Sequence, residues 1–464
     1  MTTSLTTFDR RDFLHLSAAL ASGAGFYAAG GVRAADETKP KGPMEKLAIA
    51  AIGVGGKGSS DCDQAASLGN LVAICDIDEK RLEQKSSRFP KAEKFFDFRE
   101  LLDKLGKKVD AVVVSTPDHT HAVACAMAMR AGKHVYCQKP LTHSVYEARM
   151  LRQLAKENKV CTQMGNQGTA GDQFRTSVEL LRSGALGKIK EVHLWTNRPT
   201  GFWKQAPDLV ARPKAAPVPS HVKWDLFLGP APEREYSPGI HPFAWRGFRD
   251  FGTGALGDMA CHTANMPYMG LRLTTPLAVR AEAGEYNPET FPAWAKVTFE
   301  FALPGVSEPI NVIWYEGTRD GKKLTPPLEL LQGTEKGYSG SGSLIVAENA
   351  TLYSPDDYGA SRRFIGKAAK DIKMPEKTLP RRGGNSDLQM KAEWFEAIAK
   401  NDPSIALSNF EYACPLTESI LLGNIAMIAN GNKRLVYDAA NMKFTGTPEF
   451  DKYLSREYRK GWKL

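Results

Sequence analysis

The chain has few cysteines, no dense run of basic residues, and little apolar sequence long enough to lie in a bilayer. Seven cysteines in 464 residues are an odd number, and none forms a Cys-x-x-Cys pair. That argues against a disulfide framework and against a zinc ribbon. Cys75 and Cys137 sit inside apolar runs and read as small buried hydrophobes. Lysine and arginine give a formal net charge of +9 but are dispersed, so a nucleic-acid arm is excluded. Hydrophobic content of 42% and charged content of 24% are ordinary for a globular protein of two or three domains. Outside the first 35 residues no segment reads as a membrane span.

Those first 35 residues differ from the rest. Asp9-Arg10-Arg11-Asp12-Phe13-Leu14 precedes a weakly apolar stretch rich in Gly, Ala and Ser, and Val32-Arg33-Ala34 offers a small-residue cleavage site. Paired arginines before a modest hydrophobic segment predict a twin-arginine signal over 1–35, and hence a periplasmic or otherwise exported protein. That route carries folded proteins, so a tightly held cofactor acquired in the cytoplasm would travel with the chain.

From 44 to 165 apolar strands alternate with helical patterns. Strands are predicted at 47–53, 71–76, 109–116, 134–138 and 160–164, with helices near 57–69, 79–88, 98–105, 119–131 and 143–158. Short continuous apolar strands separated by helices predict a doubly wound parallel sheet, an α/β fold. From 166 to 440 the pattern changes. A helix near 171–183 and a strand over 188–197 lead into a proline-punctuated, aromatic-rich stretch, 198–242, read as an ordered loop over a site. A helix near 256–270 follows. Strands near 277–285, 294–302 and 308–315 alternate polar with apolar residues and predict an open, largely antiparallel sheet with one exposed face. Residues 317–340 and 354–385 read as loops, and helices near 387–400 and 410–428 precede a tail over 441–464. The open sheet face predicts a homo-oligomer.

Gly53-Val54-Gly55-Gly56-Lys57-Gly58 fits G-x-G-x-x-G between a strand and a helix, the context that motif requires. Gly53, Gly55 and Gly58 would let backbone N–H groups approach a pyrophosphate at a helix N-terminus. Asp76 ends the second strand, where a carboxylate binds ribose hydroxyls and repels a 2′-phosphate, so NAD is expected in preference to NADP. Asp76 could equally cap the helix that follows it. Ser115-Thr116-Pro117-Asp118-His119-Thr120-His121 ends another strand and faces the same crevice, with Asp118 as an alternative helix cap. His119 and His121 lack the neighbouring acids of a metal site, so no metal is expected.

This unit, the S-T-P-D-H-x-H-A turn and the segment His134-Val135-Tyr136-Cys137-Gln138-Lys139-Pro140 resemble the glucose–fructose oxidoreductase and inositol dehydrogenase family (Gfo/Idh/MocA), as does Gly252-Thr253-Gly254-Ala255-Leu256-Gly257-Asp258-Met259-Ala260-Cys261-His262. The family signature is E-K-P; here Gln138 stands for the glutamate. The resemblance implies an NAD(P)-dependent oxidoreductase acting on a carbohydrate. It implies Lys139, Asp258 and His262 as catalytic residues and a cis peptide before Pro140. Gly53, Gly55, Gly58, Asp76, Ser115, Thr116, Pro117, His119, His121, Gln138, Lys139 and Asn166 are the expected cofactor contacts. Four apart on a helix, Asp258 and His262 share a face, so Asp258 could fix the tautomer of His262, which could then take a hydroxyl proton. Lys139 could hydrogen-bond the alkoxide or act as the base. Lys139, Gln163, Asn166, Trp245, Arg246 and His262 are the expected sugar contacts, with Trp203 among further aromatics. Two other readings stay open: a glycosidase or lyase working through a transient keto-sugar, and a non-catalytic sugar-binding protein.

Overall fold

The inner strands of the first sheet are buried on both faces, and that burial decides where the rest of the chain must pack. The computed structural model describes residues 46–198, 205 and 211–464; the predicted signal over 1–35 and Trp203 lie outside them. The first sheet is built from β1 (Ala48–Ile52), β2 (Asn70–Cys75), β3 (Glu93–Phe95), β4 (Ala111–Val114), β5 (His134–Cys137) and β6 (Thr162–Met164), all parallel, in the order β3-β2-β1-β4-β5-β6. The connecting helices are α1 (Lys57–Leu68), α2 (Glu79–Arg88), α3 (Phe98–Leu105), α4 (Asp118–Arg130) and α5 (Val145–Glu157). Side chains at 50, 52, 112, 114, 135 and 137 pack one way, with α3, α4 and α5. Those at 49, 51, 111, 113 and 136 pack the other way. This is the doubly wound α/β arrangement expected. The strand β3 was not, because Glu93-Lys94-Phe95 has two charged residues in three and bonds only to β2 at the sheet edge.

The second sheet is mixed and has ten strands. After α6 (Asp172–Ser183) come β7 (Ile189–Thr196), α7 (Trp224–Leu228), α8 (Gly254–Thr263) and α9 (Asn265–Gly270). Then follow β8 (Ala278–Ala283), β9 (Trp294–Phe301), β10 (Ile310–Arg319), β11 (Lys322–Lys323), β12 (Gly342–Ala347), β13 (Thr351–Ser354) and β14 (Arg363–Ile365). The helices α10 (Ser386–Lys400) and α11 (Phe410–Ala429) precede β15 (Leu435–Asp438) and β16 (Lys443–Thr445). The order is β14-β13-β12-β7-β10-β9-β8-β15-β16, with β11 on β10. Only β7 and β10 pair in parallel, Trp195 opposite Tyr315; the other pairs run antiparallel, as expected for most of this sheet.

Three expectations are corrected. The single helix over 256–270 is two, because Pro267 has no N–H to continue the ladder across Ala264. The presumed loops at 317–340 and 354–385 contain β11 and β14. The helix α11 is long and apolar enough to cross a membrane, contrary to the sequence reading, but 72% of its apolar window is buried against the protein. Its Leu416, Ile420 and Leu421 join Val279, Val297 and Phe299 of the second sheet in one core.

Two distant segments return to the first sheet. Met390, Trp394 and Ala397 of α10 join Ile49, Ala51, Val113 and Tyr136, and the Trp394 indole N–H donates to Cys161 O at 3.1 Å. The final residues are held by buried Glu147, which accepts from Arg456 Nε and Tyr458 Oη at 2.8 Å each.

Candidate active site

A cavity of about 370 Å³ runs from the glycine loop after β1 to the start of α8. At Gly53 the backbone has φ of 80°, and a Cβ there would lie 2.5 Å from Ser115 O. A Cβ on Gly58 would lie 2.0 Å from Gly53 O. Only glycine lets the turn close onto β4 and aim its amides into the cavity. Asp76 Oδ2 accepts from Val54 N at 2.9 Å and its Oδ1 from Asp78 N at 3.0 Å. Burial pushes its carboxyl up. The helix cap is Asp78, which accepts from Lys80 N, so Asp76 is free of that duty and faces the cavity. Arg81 of α2 lies across Gly55, its side chain within 2.5 Å of where a Cβ would stand. Glycine amides, the Asp76 carboxylate and an arginine along one open trough fit a dinucleotide pyrophosphate and ribose.

At the far end, Lys139 follows β5 across a cis Lys139–Pro140 peptide. Its Nζ donates to Asp258 Oδ1 at 2.6 Å and to Asp258 O at 3.2 Å. Arg246 Nε reaches the same Oδ1 at 3.4 Å. Burial alone would raise the Asp258 carboxyl, but Lys139 and Arg246 hold it well below the usual range. One turn along α8, His262 is buried, and that burial, reinforced by the Lys139 charge, drives its pKa well below 6.5. The imidazole is therefore neutral at pH 7. Its Nδ1 has no hydrogen-bond partner among the described residues, and its ring meets Tyr358 edge-on at 5.0 Å. This corrects one expectation. Asp258 spends its carboxylate on Lys139 and Arg246, and among the described residues no hydrogen bond joins it to His262.

Asp118 is not a helix cap either. Its Oδ2 accepts from Thr253 N at 3.1 Å and Thr253 Oγ1 at 2.8 Å, tying α4 to the turn before α8. Burial pushes its carboxyl up to about 7.

Behind the glycine loop lies a second charged cluster that the sequence did not disclose. The fully buried Asp61 accepts from Lys57 Nζ at 2.7 Å, Lys391 Nζ at 2.6 Å, Ser115 Oγ at 3.0 Å and Gln138 Nε2 at 2.8 Å. Both lysines also reach Asp387. Gln138 thus donates to a carboxylate where the family glutamate would bring one.

Of the expected contacts, Gly53, Gly55, Gly58, Asp76, Ser115, Thr116, Pro117, Gln138, Lys139, Trp245, Arg246, Asp258 and His262 line this one cavity. Four do not, and three of these are corrected by the partners they have instead. Gln163 is buried with its Nε2 donating to Met390 O and its Oε1 accepting from Ser408 N, so it fastens α10 and the start of α11 to β6. His119 lies between Phe251 O and Phe227 O, lowered to about 3 by burial. His121 lies between Pro140 O and Thr116 O at 2.8 Å each, lowered to about 4 by burial, and acts on Lys139 only by holding its loop. Asn166 is buried outside the cavity lining, yet neither of its amide atoms has a partner among the described residues. A water or an ion is the ordinary partner of such a buried amide. Lys57, Arg81, Gln167, Arg198, Tyr358 and Trp462 line the cavity without having been selected as contacts. The motif itself contained Lys57; Tyr358 and Trp462 carried no local signal.

Residues 47–166 match the model for an oxidoreductase family with an NAD-binding Rossmann fold. Residues 171–317 match the C-terminal alpha/beta domain of the same family. An inositol 2-dehydrogenase of Rubrobacter xylanophilus is 30% identical over 32% of this chain and 43% of its own length. A protein of Shewanella named Glycosyl hydrolase family 109 protein 2 is 26% identical over 44% of this chain and 51% of its own length. The chain therefore spans about half or less of these curated relatives. Among solved structures, an inositol dehydrogenase homolog of Azotobacter vinelandii, complexed with NADH and myo-inositol, superposes with a TM-score of 0.59 at 15% identity, over 85% of this chain and 98% of that one. That likeness establishes the fold.

Proposed function

Because the chain belongs to the Gfo/Idh/MocA oxidoreductase family, we propose that it transfers a hydride between a hydroxyl-bearing carbon of a sugar or cyclitol and a tightly bound NAD. The observation that carries this is the meeting of Lys139, Asp258 and a neutral His262 at one end of the cavity whose other end is the glycine loop. When bound, the nicotinamide supplies the hydride acceptor. The protein handles the proton and the charge. His262, neutral, accepts the hydroxyl proton. Lys139 is pinned by Asp258 and hydrogen-bonds the same oxygen. Lys139 and Arg246 bring two positive charges against one from Asp258, so the site carries an excess cation to meet a developing alkoxide. Trp245 offers a flat face for a sugar ring, with the Arg246 guanidinium 4.2 Å from its centre.

A second reading is transient oxidation, elimination of an aglycone and re-reduction; the match to the Shewanella glycosyl hydrolase supports it. Purified protein would be mixed with free sugars, cyclitols and aryl glycosides while absorbance of reduced nicotinamide and aglycone release are followed. Lasting reduction with a sugar or cyclitol supports the first reading. Aglycone release without net reduction supports the second. Neither, with no binding of NAD, would refute both.

Export through a twin-arginine signal is part of the proposal, supported by Arg10-Arg11 and the stretch behind them. A reporter fused after residue 35 should stop being exported when both arginines become lysine. Homo-oligomer formation is proposed as well, with light scattering giving the mass that tests it, although the sheet face opposite α8 and α11 is not the open one expected: Trp195, Tyr315 and Leu344 there are buried under Leu331 and Tyr338 of the same chain.

A further inference from the structure

The cavity does not end at Asp76. Beyond it, away from Lys139, the wall is formed by Phe96 and Phe98, which follow the edge strand β3, and by Trp462, two residues from the end of the chain. Trp462 is brought there by a series of anchors. Arg456 and Tyr458 are held by buried Glu147. Arg459 Nε donates to Gly229 O at 3.0 Å and its Nη2 to Asp225 O at 2.8 Å, while Arg459 N donates to Pro230 O at 3.1 Å. A turn then bonds Trp462 N to Arg459 O at 3.0 Å. The indole is fixed in turn. Its centroid lies 5.8 Å from that of Phe98, and the Arg99 guanidinium sits 4.2 Å from it, itself gripped by Asp97. On the far side of the trough His241 Nε2 lies 3.0 Å from Asp78 Oδ2.

We propose that Trp462, with Phe96 and Phe98, forms the subsite for the purine base of the dinucleotide, so that the last residues of the chain close over the adenosine half of the cofactor. The inference rests on the NAD-binding reading above. The position follows from the fold: a carboxylate ending β2 takes the ribose, and the base continues toward β3. The chemistry follows from the residues, because a purine presents two flat faces that aromatic rings stack on. No phosphate or sugar hydroxyl would call for three aromatic side chains here.

Calorimetric titration of the full chain and stopped-flow release of NADH test this on Trp462→Ala and Trp462→Phe. Trp462→Ala should bind NAD and ADP-ribose about tenfold more weakly and release NADH correspondingly faster. Trp462→Phe should recover most of that loss, and nicotinamide mononucleotide, which lacks the adenosine half, should bind both variants as it binds the native chain. If the native chain binds NAD and Trp462→Ala binds it equally well, the subsite is wrong while the NAD reading stands. Equal losses for NAD and nicotinamide mononucleotide would also overturn the subsite, as they report general damage. A native chain that binds neither NAD nor ADP-ribose would overturn both.

Discussion

Two buried carboxylates organise opposite sides of the same trough, and they are treated differently. Asp61 meets four donors, and its cluster sums to neutrality: Lys57 and Lys391 against Asp61 and Asp387. Asp258 meets Lys139 and Arg246, which leaves a positive excess, with an unpartnered His262 Nδ1 close by. A satisfied, neutral cluster holds elements together. An unsatisfied, charged one has something left to bind. The contrast separates scaffold from chemistry more sharply than burial does, since both carboxylates are buried.

The strongest way to break the contrast is to remove the chemistry and leave the scaffold. Lys139→Ala or His262→Ala should lower turnover by about 10²–10⁴-fold while NAD still binds, read by steady-state kinetics and titration. Retention of native turnover by either variant would sink the site assignment. On the scaffold side, Asp61→Ala leaves buried Lys391 and half-buried Lys57 to share Asp387 alone and should cost about 3–5 kcal/mol, measured by denaturant unfolding. A variant of native stability would mean the cluster is ornamental. Gln138→Glu sharpens the comparison, because it sets a carboxylate 2.8 Å from Asp61, where Gln138 Nε2 now donates. Alone it should destabilise by roughly 1–3 kcal/mol; combined with Asp61→Asn, which moves the charge rather than doubling it, most of that loss should return. Failure of the pair to recover would show that the amide at 138 matters for itself. Asn166→Ala should leave the melting temperature unchanged or raise it, because both amide atoms are unpaired in the protein; a clearly lower melting temperature would show that the amide is satisfied after all.

The smallest effect concerns acid. Burial lowers His119 to about 3, His121 to about 4 and His143 to about 3. The unfolded chain takes up protons at these positions below about pH 6.5, where the folded chain does not. Their contribution is therefore complete above that pH and declines as pH falls, by up to about 1.4 kcal/mol per unit for each group. Asp118 and Glu316, pushed up by burial to about 7 and about 8, take up protons in the fold over the same range and offset much of that loss, so the net change is small. NMR titration of the His119, His121 and His143 rings should find them neutral at pH 5; charged rings there would refute the shifts.

Most of the first sheet was legible because burial on both faces makes strands continuous apolar runs: His134–Cys137 and Ala111–Val114 fall inside the predicted segments. Edge elements were not. Glu93–Phe95, Arg363–Ile365 and Lys443–Thr445 are three residues each, held by one neighbour, and carry no period to detect. In the site, residues fixed by local motifs were legible, such as Gly53, Asp76, Lys139 and His262. Residues delivered by tertiary contact were not. Tyr358, Lys391 and Trp462 reach the cleft or its supporting cluster from segments distant in sequence. His119 and His121 misled because a histidine beside a crevice motif reads as a ligand, whereas here their rings are spent on main-chain carbonyls.

The return of α10 to the first sheet bears on the order of events during synthesis. Trp394 and Met390 seal a face whose strands leave the ribosome more than two hundred residues earlier. Until they emerge, Ile49, Ala51 and Val113 are covered on that side only by α1 and α2, through Cys62, Ala65 and Leu82, so the nascent nucleotide-binding half is completed by a late helix.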